Sequence, residues 1–321
     1  MTLWKDLPQH LRCDGISIKY IAPRSGRIWH LTGWNAGAEG AMINGPIRGL
    51  WHMPYESVWT EPAYGAPEFE RTVDGKRTPG FDVLLMSDTK FGWFDTEAKW
   101  WEDWPVGVPG WLSMWTRRLG ELWIPVMRDK PTETEMEDDP AGMNGNNHQV
   151  WTMDLAQSGN PRWRRPPKVD RYINSGKAEA TLYVANQSKE AEAWPVFLVS
   201  APAPHHGIKL ANGNGGEMVP VPELLPGEHC IIDTDPTHRI AISATDPADD
   251  FFKKFIRNSE LLSWLLGHYG DTGESVLKRF HGQGFTRPIA PGEVGALKVI
   301  HPTPGGKVGV LLPQRFERAH A

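Results

Sequence analysis

Cysteine is almost missing from the 321 residues: only Cys13 and Cys230 occur, far apart in the chain. Two such residues build neither a disulfide framework nor a zinc quartet, so folding in a reducing compartment is expected. Long apolar runs are missing too. No stretch approaches the ~18 apolar residues of a membrane-spanning helix. The opening residues, with Trp4, Lys5 and Asp6, lack the apolar segment of a secretion signal, so neither a signal peptide nor a bilayer span is expected. A basic surplus is also absent. Lys and Arg number 34 against 39 Asp and Glu, a formal net charge of −5, which excludes the broad positive surface of a nucleic-acid binder. With 40% hydrophobic and 23% charged residues, neither wholesale disorder nor a coiled coil fits. No repeat of 20 to 50 residues is present.

Tryptophan, by contrast, is abundant. Of 16 in the chain, all but Trp194 and Trp264 fall at or before Trp163, dividing the chain into two compositional halves. Indoles carry large apolar area and one N–H donor, and they concentrate in cores and at protein–protein interfaces. The 33 Gly and 28 Pro are spread throughout, so long helices cannot dominate. Short apolar runs between them read as strands: Arg27–Leu31, Phe81–Met86, Trp111–Thr116, Leu119–Met127, His148–Leu155 and Ala180–Ala185. The series continues with Trp194–Ser200, Glu228–Asp233, His238–Ala244, Ala296–Ile300 and Lys307–Leu312. Their β-branched or alternating character predicts a mainly β protein of sandwich type with minor helices.

Two stretches read as helix. Asp95 to Trp104 begins with Asp95 or Thr96 as N-cap, spaces Ala98, Trp101 and Trp104 three apart, and stops at Pro105. Asp249 to His268 sets Phe252, Phe255, Ile256, Leu262, Leu265 and Leu266 at helical spacing, and Glu274 to His281 adds a further turn or two before Gly282. The acidic, Gly- and Asn-rich stretch Pro131 to Asn147 reads as an exposed loop. Gly159 to Lys168, with Pro166 and Pro167, reads as an extended connector. The domain switch is placed there, giving domains 1–165 and 166–321, with a helical insertion near 249–281. The last strand, near Lys307 to Arg318, is expected to return to the first domain.

The search for chemistry is negative. His205 and His206 are adjacent and diverge on a strand. Asp233, Asp235 and His238 surround Pro236 in what reads as a turn. There is no G-x-S-x-G elbow, and the Gly-rich stretches 213–217 and 270–275 fit neither phosphate-binding spacing. The acceptor-like triplet Asn186-Gln187-Ser188 reads as chance. No catalytic residue, cofactor or metal is expected. Two other readings remain: a tryptophan-lined sheet that binds carbohydrate, and a glycan-cleaving enzyme whose carboxylates meet only in space.

The order of segments resembles a known family. The strand at Ile28 to Gly33, the strand and helix at Phe81 to Trp104, the hairpin WLSMWTRRLGELWIPVMRD and the run VWTMDLAQSGNPRW precede the switch. ATLYVANQSKEAEAWPVFLVS, LLPGEHCIIDTDPTHRIAIS and GGKVGVLLPQRFER follow it. This pattern is similar to the distal tail proteins of long-tailed bacteriophages, in particular the minor tail proteins of phages of mycobacteria and related actinobacteria. The resemblance implies an N-terminal ring-forming domain and a C-terminal galectin-like sandwich. It further implies a homohexamer at the tail tip of the virion, made in the host cytoplasm. That ring would join the tail-tube protein to the tail-tip hub and fibre proteins and lie close to the tape-measure protein.

Within such a ring, six copies at −5 sum to −30, and DNA passes without sticking. Glu133, Glu135, Glu137, Asp138 and Asp139 are expected to face the lumen or a neighbouring subunit. Trp100 and Trp101 lie ~100° apart on a helix and cannot both centre one buried face. Trp100, Trp101 and Trp104 are therefore candidate subunit contacts, as are Arg162, Arg164 and Arg165, which otherwise form a solvated linker face.

Overall fold

The computed structural model describes residues 16–61, 64–132, 140, 147–200, 207–224, 228–236, 241–244, 274–280 and 282–319. The chain is mostly strand with one α-helix among the described residues, and it forms two compact units, Met1–Arg164 with Glu317–Ala321, and Arg165–Phe316.

The first unit holds β1 (Ser17–Ile21), β2 (Ile28–His30), β3 (Ala41–Ile43), β4 (Tyr55–Thr60), β5 (Glu68–Asp74), β6 (Gly80–Met86), α1 (Lys90–Asp103), β7 (Gly110–Thr116), β8 (Gly120–Arg128) and β9 (His148–Gln157). Seven of the strands form an antiparallel sheet in the order β3-β6-β9-β8-β7-β1-β2. Its two end strands come back to one another, with the Ile43 N–H donating to the Leu31 carbonyl at 2.9 Å. Alternation along the strands sends Ile18 and Tyr20, Leu112 and Met114, and Leu122 and Ile124 to the interior.

Helix α1 closes over that interior. It begins at Lys90 rather than at the expected Asp95, because the Thr89 hydroxyl accepts the Gly92 N–H at 3.0 Å and caps the first turn. Trp93, Trp100 and Trp104, seven and four residues apart, form its buried face. The Trp104 ring stacks on Tyr20 at 3.6 Å between centroids, and Trp100 meets the Trp29 ring edge-on at 5.1 Å. Gly110 makes room for this stack, since a Cβ there would collide with the Tyr20 ring. Pro105 follows the helix and prevents its continuation.

One carboxylate ties the helix to the sheet. Asp103 is buried at the helix C-terminus, where the helix dipole disfavours an anion. Three donors compensate: the Trp29 indole N–H at 2.8 Å, the Arg27 guanidinium at 2.7 Å and the Ser25 hydroxyl at 2.6 Å. The Tyr20 hydroxyl donates to the Asp103 main-chain carbonyl at 2.8 Å. Burial first, and the Asp103 charge second, push the Tyr20 phenol far above its ordinary range, so it remains a donor.

The second unit is a two-layer sandwich. One layer runs β10-β19-β12-β15-β16-β17, from β10 (Trp163–Ile173, which starts in the first unit), β12 (Val196–Ser200), β15 (His229–Asp233), β16 (Ala241–Ala244), β17 (Glu274–Ser275) and β19 (Lys307–Phe316). The other runs β11-β18-β13-β14, from β11 (Glu179–Ala185), β13 (Lys209–Ala211), β14 (Met218–Pro220) and β18 (Val294–Ile300). Phe197 and Val199, Cys230 and Ile232, and Val308 and Val310 share one core with Leu182, Val184, Leu297 and Val299 of the facing layer.

The stretch expected to be a connector is instead the first part of β10, whose Arg164 pairs with Trp123 of β8. Prolines 166 and 167 hold the extended backbone that a strand needs. Glu274 to His281 yields β17 and a 3-10 turn at Leu277–Phe280 rather than regular helix, with His281 itself outside the described residues. The helical reading of 249–268 and the acidic loop with Glu133, Glu135, Glu137, Asp138 and Asp139 also lie outside the described residues. Glu317–Ala321, which follow β19, belong to the first unit, where the Thr116 hydroxyl donates to the Ala319 carbonyl at 3.2 Å.

Replacing Asp103 by alanine strands the Trp29 N–H in the interior and removes the partner of Arg27. Asp103→Ala is expected to cost about 3 kcal/mol, and Asp103→Asn, which keeps an acceptor, clearly less. Thermal unfolding followed by near-UV circular dichroism reads the difference; equal losses for the two variants would remove this role.

Candidate assembly interface

Among the described strands, β4 and β5 hydrogen-bond only with each other. Strands β4 (YESVWT) and β5 (EFERTVD) form a separate two-stranded sheet, and every residue in them except Val58 is exposed. A bulge between Val58 and Trp59 leaves Glu70 without an opposite partner and brings Trp59 across from Phe69. Alternation then gathers Tyr55, Trp59 and Phe69 on one face, where the last two rings touch edge to face at 5.6 Å. Trp59 and Phe69 each keep 55% of their surface in solvent, and Tyr64 at the tip keeps 96%. A lone hairpin is marginally stable in water, and contiguous exposed aromatics of this kind mark contact surfaces.

The base of the hairpin is rigid. Arg77, three residues after β5, is 1% exposed and spends its guanidinium on main-chain carbonyls: Leu50 at 2.7 Å, His52 at 3.0 Å, Pro161 at 3.0 Å and Glu317 at 3.1 Å. The Trp163 ring lies 5.9 Å from its centre. Burial pushes the Arg77 guanidinium down to about 10, which still leaves it charged at neutral pH. The segment entering β4, the residue leaving β5 and the C-terminal tail thus meet at one cation. Arg162 adds a second fastening, reaching Asp74 at 2.8 Å and Glu317 at 3.9 Å.

The sequence-derived residues fall into distinct environments. Trp100 and Trp104 are interior, packed on Trp29 and Tyr20, so neither has surface to offer a neighbour. Trp101 is half-buried, with Trp151 edge-on at 5.4 Å and Arg128 at 5.5 Å from its ring. The ~100° between Trp100 and Trp101 therefore separates a core residue from a boundary one. Arg162 docks on acids of its own unit, Arg164 lies over Trp111 at 6.0 Å, and Arg165 donates to Gln187 at 3.2 Å.

Other groups singled out in the sequence are structural. Asp235 closes a turn, its N–H donating to the Asp233 carboxylate while Arg315 holds its own carboxylate at 3.2 Å. Asn186 is buried and donates to the Ala191, Ile289 and Ala290 carbonyls. Burial, with Glu228 nearby, pushes the Cys230 thiol far up and leaves it unreactive at neutral pH. His205, His206 and His238 lie outside the described residues.

What sequence reading missed is the hairpin itself. Its signal was weak because charged residues alternate with the aromatics and the connection carries Pro62, Gly65 and Pro67. The alternation in EFERTVD was the available clue.

Comparisons with known proteins identify a fold. No family model matches the chain, and no curated protein matches it in sequence. Among solved structures, it is similar to the Dit protein of phage SPP1, described as a paradigm of the hub adsorption apparatus of phages infecting Gram-positive hosts. That match has a TM-score of 0.56 and 9% identity over 94% of this chain and 99% of the other. It is also similar to a chain of the phage P2 baseplate in its activated conformation with Ca, with a TM-score of 0.51 and 9% identity over 94% of this chain and 98% of the other. The same values hold for the baseplate with Sr. At this identity the likeness is one of fold.

Arg77→Met is expected to lower stability by about 3 kcal/mol by stranding buried carbonyls. Arg77→Lys does not restore it, because an ammonium lacks the planar fork that reaches four acceptors. Limited proteolysis within 50–79 is the specific readout; unchanged cleavage in both variants would show that the hairpin base does not depend on this residue.

Proposed function

We propose that this protein is a structural component of a phage virion, a distal tail protein of the minor-tail-protein type, which assembles as a homohexameric ring at the tail tip. The observation that carries the reading is the hairpin β4–β5, a ribbon with aromatic rings in solvent, fastened at its base by a buried arginine. A fixed, projecting apolar arm is what a head-to-tail subunit contact requires, since such contacts use two different patches per subunit and close into a ring. The fold likeness to the SPP1 Dit protein and to the phage P2 baseplate chain, both over nearly the full length of each chain, supports the same reading.

In this reading the ring joins the tail-tube protein to the tail-tip hub protein and lies next to the tape-measure protein. The formal charge of −5 per chain keeps the passing DNA from adhering. The second unit is a galectin-like sandwich that supports partner contacts, and the assignment to phages of actinobacteria rests on the sequence resemblance. The protein carries no reaction of its own. The runner-up is a carbohydrate-binding module that recognises a host envelope glycan.

Light scattering coupled to size exclusion separates the two. The proposal expects a mass several times 36.0 kDa, rising to six chains, and a fall to one chain in Trp59→Ser/Phe69→Ser with unfolding unchanged. A wild-type chain that stays single at all concentrations while binding cell-wall polysaccharide overturns it in favour of the runner-up.

A further inference from the structure

The arm needs a seat, and the first unit carries one surface of matching character. The face of β1, β7 and β8 turned away from the core presents Trp111, Trp115 and Trp123, with Ile21 beside Trp111 across the strands. Trp115 keeps 36% of its surface in solvent and Ile28, opposite Ile21, keeps 43%. Three indoles that keep surface in solvent, gathered on one sheet face, make an apolar patch of the kind that marks a contact surface.

Charge favours the same pairing. Residues 54–75, the arm and its flanks, contain five acids, Glu56, Glu61, Glu68, Glu70 and Asp74, against the single base Arg71. Around the indole face, Arg117 and Arg118 stand exposed in the turn joining β7 to β8, Arg164 lies over Trp111, and Lys19 projects from β1. The acid on this face, Glu121, is held by Lys19 at 3.5 Å and by the Ser113 hydroxyl at 2.7 Å. An acidic aromatic arm and a basic aromatic face are complementary in both shape class and sign.

We infer that the outer face of β1–β7–β8 is the acceptor for the β4–β5 arm of a neighbouring copy of this chain, with Tyr55, Trp59 and Phe69 packing on Trp111, Trp115 and Trp123. The basic turn at Arg117 and Arg118 then faces the arm's carboxylates. The inference rests on the ring-forming reading and adds the half of the interface that reading leaves open. Because arm and seat lie on different surfaces, each copy gives one contact and receives one, and the chain of contacts ends only by closing.

Complementation tests it. An arm variant (Trp59→Ser/Phe69→Ser) keeps its seat, and a seat variant (Trp115→Ser/Arg117→Glu/Arg118→Glu) keeps its arm; all five positions are exposed, and circular dichroism and thermal unfolding verify that both variants fold. Each alone is expected at the mass of one chain, with self-association weakened at least tenfold. Their equimolar mixture is expected at two chains, without growth to higher species. If the seat variant alone assembles like wild type while the arm variant does not, the ring reading stands and the seat is elsewhere. A mixture that remains at one chain also overturns the inference, since an intact arm and an intact face would then be present together and fail to pair. A wild-type chain that never associates refutes the ring reading itself. Loss of polysaccharide binding in the seat variant, with assembly intact, would assign the face to sugar instead.

Discussion

A ribbon of two strands has two faces and no third layer to cover either. That constraint governs the first unit: β4 and β5 satisfy their hydrogen bonds along one seam, yet Tyr55, Trp59 and Phe69 stay in water. In the proposed ring their burial comes from a neighbouring copy, and the contacts at the base of the ribbon hold it where it can be met. Arg77 is the clearest device. It sits in the interior with four main-chain carbonyls as hydrogen-bond acceptors, a costly placement for a cation whose return is a fixed exit angle for both strands.

The tryptophan surplus has two uses with opposite requirements. In the core, Trp29, Trp93, Trp100 and Trp104 fill the space between α1 and the sheet, and Asp103 serves the one indole N–H among them that has an acceptor. On the outside, Trp59, Trp111, Trp115 and Trp123 retain solvent-facing surface. The same residue type serves both because an indole offers large area at small rotamer cost. Which use applies is decided by strand parity and helix phase.

That dependence explains what could be read in advance. Each strand expected from an apolar run coincides with an observed strand to within a few residues, since local alternation and β-branching specify extended backbone. The short strands β3, β13 and β14 and the charged pair β4–β5 carried too little apolar pattern to declare themselves. Helix α1 was legible as to type but began five residues early, because a threonine hydroxyl at Thr89 outweighed Asp95 as a cap. The site was less legible than the fold. Trp100 and Trp104 looked like surface candidates only while the depth of the helix beneath them was unknown. The arm stayed hidden because exposure is a property of the assembled chain, which no window of sequence records.

Amide hydrogen exchange across a concentration series tests the central claim most directly, because it reads the arm without altering it. The account predicts that amides of Tyr55–Thr60 and Glu68–Asp74 exchange rapidly in the dilute chain and gain protection as copies associate, while the amides of β6 and β9 stay protected throughout. An arm whose exchange is unchanged between the single chain and the assembled species would contradict it.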